Sequence, residues 1–299
     1  MDMNINQSSP ESGSHPMALP VGGHRKILFM SPTQRTHFIA MVGEFVGTTL
    51  FLWFGFSGAQ VVNSIVPAQN PSDAVRVAQI TYLALTFGFS LMVNVWVFYR
   101  ISGGLFNPAI TLGLVISGAM PWTRAMLLFV PQMLGGIVAA ALVSAMFPGP
   151  LIVDTSLGNG TSIVQGLFIE MFLTALLMIT ILMLAVEKSK TTFLAPMGIG
   201  LALFVAHLTG VHFTGASLNP TRSFGPQVAT RSFPGYHWIY WLGPVLGATI
   251  AAGFYRFIKH LVYEEANPCQ DAAHKDDMCG SLKEYEMHKA MTESSAMSV

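Results

Sequence analysis

Charge is what this sequence has least of. Only 10% of its 299 residues are charged, against roughly a quarter in water-soluble domains, which excludes a freely soluble globule. The little charge there is cancels: Lys and Arg total 15, Asp and Glu 15. A neutral chain has no general electrostatic claim on nucleic acid or on an acidic polymer. Cysteine is nearly absent. Cys269 and Cys279 both fall in the polar C-terminal stretch, too few for a disulfide framework or a Cys-based metal site, so no metal or cofactor is expected. Residues 1–37 lack the apolar run of a cleavable signal peptide, which leaves the first apolar stretch to act as the targeting signal.

In place of charge the chain has apolar length, with a mean hydropathy of +0.53. A bilayer core about 30 Å thick takes about 20 apolar residues as helix. Six stretches qualify, at about 38–62, 77–99, 125–147, 162–186, 193–211 and 236–256. Their interiors hold two acids, Glu44 and Glu170. The expected class is therefore an all-α protein crossing a lipid bilayer six times. Arg25, Lys26, Arg35, Arg100, Arg124, Lys188, Lys190, Arg256 and Lys259 fall to one side, and Arg76, Arg222 and Arg231 to the other. Positive-inside counting then puts both termini in the cytoplasm. The polar flanks, 1–34 and 264–299, are expected to be disordered cytoplasmic tails around a membrane domain at 35–263. Asn159-Gly160-Thr161 reads as an outward-facing glycosylation sequon.

The membrane domain repeats itself. Ser102-Gly-Gly-Leu-Phe-Asn107-Pro-Ala-Ile-Thr-Leu-Gly113 returns as Thr214-Gly-Ala-Ser-Leu-Asn219-Pro-Thr-Arg-Ser-Phe-Gly225. Further stations recur in the same order. Glu44 and Thr48 match Glu170 and Thr174, Gly88 matches Gly200, and Leu134-Gly-Gly matches Leu246-Gly-Ala. The copies occupy about 36–150 and 160–260. Three spans per copy make the second enter the membrane from the opposite side, an inverted 3+3 repeat.

One Asn-Pro pair is an ordinary helix start, with Asn as N-cap and Pro at the first helical position. Here each pair opens an apolar run of only about ten residues, half of a span. A helix start inside hydrocarbon must be enclosed by protein or face a wet cavity, because its free N–H groups have no other partner. Two inverted half-helices can meet end to end at mid-membrane, bringing together two positive dipole ends and two amides.

With these motifs in place the chain resembles the aquaporin (major intrinsic protein) family over about residues 36–260. Asn107-Pro108-Ala109 matches the family motif in full; Asn219-Pro220-Thr221 carries Thr where Ala is usual, adding a hydroxyl at the half-helix contact. The resemblance implies a channel domain at 35–263 with six transmembrane helices and two re-entrant half-helices, and a homotetramer; the plasma membrane is the default location expected.

It also implies a constriction. Counted from the two asparagines, its positions are Phe87, His207, Ala216 and Arg222, a set similar to that of water-selective members. Phe87 and His207 are expected to face each other across little more than one water. Tyr240-Trp241 and Ser223 resemble water channels as well; Gln227 does not. Glu44 and Glu170 read as buried structural carboxylates that accept backbone N–H bonds from the re-entrant loops. The expected function is single-file water conduction along carbonyls of 102–106 and 214–218, with protons and ions excluded. The alternative is passage of hydrogen peroxide or another small neutral solute such as glycerol. A coupled transporter would need more titratable groups along its path, and an intramembrane hydrolase would need the Gly-x-Ser-x-Gly setting that is missing. No enzyme is expected.

Overall fold

The computed structural model describes residues 30–66, 71–158, 160–189 and 191–266, with Met287 and Met291. Arg25, Lys26, Lys190, Cys269, Cys279, the asparagine of the sequon and most of both expected tails lie outside the described residues.

Eight α-helices make up the domain: α1 Pro32–Ile65, α2 Asp73–Phe98, α3 Pro108–Ser117, α4 Trp122–Met146, α5 Ile163–Ile181, α6 Ala195–Thr214, α7 Pro220–Thr230 and α8 Ile239–His260. Six, all but α3 and α7, are long and apolar enough to cross a membrane, α5 and α6 being extended by short π and 3-10 turns. At 1.5 Å per residue, the 10 residues of α3 and 11 of α7 cover about half of a bilayer core. This is an all-α aquaporin-like fold.

Local chemistry sets the ends. α1 starts inside the stretch expected to be tail, because Ser31 and Gln34 form a reciprocal capping box ahead of Pro32. Ser162 and Gln165 do the same for α5. α3 stops at Gly118, whose φ of 86° suits a residue without Cβ. The last turn of the fourth span widens to π geometry at Leu182–Val186, which apolar periodicity does not reveal. Arg124, Lys188 and Arg256, set on one side by the sequence, each donate to a backbone carbonyl: Ser102 at 3.1 Å, Ala185 at 2.7 Å and Ile116 at 3.3 Å.

The repeat stations are where helices touch. Gly88 of α2 lies on Gly200 of α6, so a Cβ on Gly200 would meet the Gly88 carbonyl at 2.8 Å. Gly135 of α4 sits against Thr48 of α1, and Gly247 of α8 against Thr174 of α5. Small residues let backbones approach where lipid offers no hydrophobic drive for association. The inverted symmetry extends to the short helices: α3 packs on α8 and α7 on α4, each half-helix held by the other repeat.

Candidate functional site

Asn107 and Asn219 are the N-caps of α3 and α7, and each side chain does two things. The oxygen caps its own helix: Asn107 Oδ1 accepts from the N–H of Ala109 at 2.9 Å and of Ile110 at 3.5 Å, and Asn219 Oδ1 from that of Thr221 at 2.9 Å. Pro108 and Pro220, at the first helical position, have no N–H to satisfy. The nitrogen crosses to the other repeat. Asn107 Nδ2 donates to the Leu218 carbonyl and Asn219 Nδ2 to the Phe106 carbonyl, both at 2.8 Å. An amide nitrogen has two hydrogens, so each keeps one. Phe106 and Leu218 hold φ of 53° and 54°, a left-handed geometry that is costly for side chains of this kind. The crossed bonds help to offset that cost.

Both asparagines line a cavity of about 330 Å³ that extends from Tyr99 and Met120 to Phe87, His207 and Arg222. A second cavity, about 240 Å³, extends from Arg76, Asp154 and His212 to the same three residues. Phe87, His207 and Arg222 thus form the partition between two chambers. Ala216 lines neither. It is fully buried at φ 47°, and its Cβ faces Gly210 of α6, where an added Cβ would come within 3.2 Å.

The partition differs from the expected one. Phe87 and His207 do not face each other across a water: their rings stack at 4.7 Å between centroids and 24° between planes. That is ring contact, so any passage runs beside the pair. The Arg222 guanidinium lies 5.0 Å from the Phe87 ring and 5.5 Å from that of Phe56, within cation–π range. Its Nη1 donates to the Val153 carbonyl at 2.8 Å. Arg222 is 5% exposed and His207 1%, and His207 Nδ1 is spent on the Leu203 carbonyl at 3.0 Å.

Residues 32–255 match the description Major intrinsic protein. The chain belongs to the major intrinsic protein family. Aquaporin-7 of Botryotinia fuckeliana is 61% identical over 257 residues, which is 85% of this chain and 56% of that one. Probable aquaporin-3 of Gibberella zeae is 54% identical over 261 residues, 84% of this chain and 91% of that one. Aquaporin-5 of Botryotinia fuckeliana is 51% identical over 288 residues, 95% and 52%. The chain therefore spans about half the length of the two Botryotinia relatives. Among solved structures, the aquaglyceroporin from Plasmodium falciparum superposes with a TM-score of 0.65 over 77% of this chain and 99% of that one. Its 21% identity makes this a likeness of fold. The chain is an integral, multi-pass membrane protein of the aquaporin channel family.

In this major intrinsic protein the re-entrant loops hang from two buried carboxylates. Glu44 accepts from Ser102 Oγ at 2.6 Å, from the N–H of Leu105 at 3.0 Å and Phe106 at 2.8 Å, and from Gln132 Nε2 at 2.8 Å. Glu170 accepts from Thr214 Oγ1 at 2.6 Å and from the N–H of Ser217 at 2.9 Å and Leu218 at 2.8 Å. Gln132, the fourth donor to Glu44, carried no signal in the sequence.

Two expectations change. The carbonyl row of 102–106 and 214–218 is shorter than expected, because Ser102 and Thr214 are buried away from both cavities, and each end carbonyl already spends one of its two lone pairs. Ser102 takes Arg124, Thr214 takes the Tyr240 hydroxyl at 2.9 Å, and Phe106 and Leu218 take the asparagines. Gly103 to Leu105, Gly215 and Ser217 line the two cavities, while Ala216 stays in the wall. Thr221 does not place its hydroxyl at the half-helix contact. It turns to α4, where Oγ1 donates to Met133 Sδ at 3.1 Å and the methyl lies over Gly136.

Outside the spans, partial burial raises the Asp154 carboxyl above its ordinary value, opposed by the charge of Arg222. Burial lowers His237, whose Nε2 accepts from Trp241 Nε1 at 3.1 Å.

Proposed function

We propose that the chain is a passive water channel, conducting water in single file and excluding protons and ions. The observation that carries this reading is the pair of capped asparagines at the head-to-head starts of α3 and α7, each with one amide hydrogen left on a cavity wall. A water at that point accepts from both amides, so its own hydrogens point away along the path. A chain of waters oriented outwards from its centre cannot relay a proton through it. The positive ends of both half-helices and the Arg222 charge repel cations from the same path. Phe87, His207 and Arg222 form the selectivity filter, with Ala216 behind it in the wall, and the carbonyls of 103–105, 215 and 217, all residues that line the two cavities, replace the lost hydrogen bonds of bulk water. An ion receives no such full replacement and pays heavily for dehydration.

Glu44 and Glu170 serve as scaffold, and the channel has no enzymatic step and no cofactor. The reading extends to a homotetramer in the plasma membrane with both termini cytoplasmic. Permeability of proteoliposomes to water, glycerol and hydrogen peroxide, measured side by side, tests it. Water is expected to pass with a low activation energy and glycerol to be rejected, with rejection lost when His207 and Arg222 are both replaced by Ala. Glycerol moving freely through the parent protein would overturn water selectivity. Peroxide moving as fast as water would widen the solute class to small neutral molecules.

A further inference from the structure

The arginine of the partition is held by a segment that is itself held from the opposite side. Between α4 and α5 residues 150–155 run along the second cavity, which Val153 and Asp154 line, and side chains of α1 grip the backbone of this segment. Gln60 Nε2 donates to the Pro150 carbonyl at 2.9 Å and Gln60 Oε1 accepts from the N–H of Ile152 at 3.0 Å. Asn63 Nδ2, one turn further along α1, donates to the Ile152 carbonyl at 2.7 Å. Asn63 is oriented in turn by Gln79 of α2, whose Nε2 donates to Asn63 Oδ1 at 2.7 Å. The next carbonyl, that of Val153, accepts from the other direction, from Arg222 Nη1 at 2.8 Å. Beyond it Thr155 Oγ1 donates to Ser223 Oγ of α7 at 2.7 Å.

We infer that Gln60 and Asn63 are positioning residues for solute selectivity: by strapping residues 150–152 to α1 they aim the Val153 carbonyl that fixes Arg222 across the passage.

Three observations support this. First, the grip is specific to an amide. Gln60 is 3% exposed and both donates to and accepts from the strap, a two-way exchange that neither a carboxylate nor an apolar side chain reproduces. Second, Arg222 has few other anchors. Val153 supplies the only hydrogen bond of its side chain among the described residues, Nε has no hydrogen-bond partner, and the remainder comes from aromatic faces and the non-directional attraction of charges such as Asp154. A long side chain with one directional anchor takes its position from that anchor. Third, Ile152 is pinned at both its N–H and its carbonyl, so the peptide plane that enters Val153 is fixed and only Val153's own φ and ψ remain to set the direction of its carbonyl.

The inference rests on Arg222 forming part of the filter, and the experiment separates the two. The ratio of glycerol to water permeability is measured in proteoliposomes for Gln60→Met, Asn63→Leu, Arg222→Val and the double variant Gln60→Met with Arg222→Val. Gln60→Met and Asn63→Leu are each expected to raise the ratio roughly fivefold, the weight of one hydrogen bond of ordinary strength, and Arg222→Val to raise it further. A residue acting through Arg222 has nothing to add once Arg222 is gone, so the double variant should match Arg222→Val alone. If Arg222→Val widens the solute range while Gln60→Met and Asn63→Leu leave it unchanged, the strap is only structural and the inference fails. A further rise in the double variant also sinks it. If Arg222→Val changes nothing, the filter reading itself fails. Should Gln60→Met not fold, Asn63→Leu, at a less buried position, carries the same test with the same outcomes.

Discussion

Asn107 lies 111 residues before Leu218, yet its side-chain amide donates to the Leu218 carbonyl at 2.8 Å, in the middle of the protein. The inverted counterpart runs from Asn219 to Phe106. Each repeat thus uses its helix cap to hold the loop of the other.

These crossed bonds make the asparagines doubly sensitive. Asn107→Ala removes an N-cap, worth about 1 kcal/mol, and leaves the Leu218 carbonyl without its donor, worth about 1–3 kcal/mol. Asn107→Ser keeps a good cap but is too short to cross. In detergent unfolding, Asn107→Ala is expected to lose about 2–4 kcal/mol and Asn107→Ser clearly less. Equal losses for the two variants would show that the crossed bond, and not the cap, dominates.

Glu170 carries the second loop through three donors, two of them backbone N–H groups. Glu170→Gln retains one acceptor and turns an NH₂ toward N–H groups that want an oxygen. Orphaning buried donors costs about 1–3 kcal/mol each, so a loss of about 3 kcal/mol is expected, with water conduction falling as Leu218 shifts. A variant as stable and as permeable as the parent would show that the loop does not depend on this carboxylate.

His237 supplies a pH dependence. Burial lowers its pKa below the ordinary histidine value of 6.5, and its Nε2 lone pair is used by Trp241, so the fold prefers the neutral ring. Between the lowered value and 6.5 the unfolded chain binds the proton and the folded chain does not. Stability is therefore complete above 6.5 and lost as pH falls through that window. Detergent melts at about pH 7.5 and about pH 5.5 should show a drop for the parent and a smaller one for His237→Gln. Equal drops would assign the acid sensitivity to other groups.

Much of this was legible because the membrane simplifies the reading. Apolar length gives the spans, and the repeat gives the half-helices and the twin carboxylates. Boundaries were less legible: α1 begins at Pro32 through a capping box, a polar device that counting apolar residues passes over. The strap was invisible. Gln60, Asn63 and Gln79 are common amides in no motif, and their partners are backbone atoms whose position exists only after folding. The stacked Phe87 and His207 rings were likewise beyond reach, since distance along the chain locates a side chain at a constriction without giving its rotamer.

Thr221 offers the sharpest test of packing at the half-helices. Its methyl occupies the hollow above Gly136, where an added Cβ would meet Thr221 Cγ2 at 2.3 Å and the Thr221 carbonyl at 2.9 Å. Gly136→Ala therefore overpacks the contact of α4 with α7 and should cost about 1–3 kcal/mol. Thr221→Ala removes the methyl but not the carbonyl, so Gly136→Ala should cost less in that background without becoming free. The coupling between the two positions is expected at about 0.5–3 kcal/mol, read from detergent unfolding of the four proteins of the cycle. Strict additivity would mean that the threonine does not pack on Gly136. Full rescue would mean that the backbone of α7 can draw back from α4, a freedom that the close approach of Gly225 to the Gly136 carbonyl, 2.4 Å from an added Cβ, argues against.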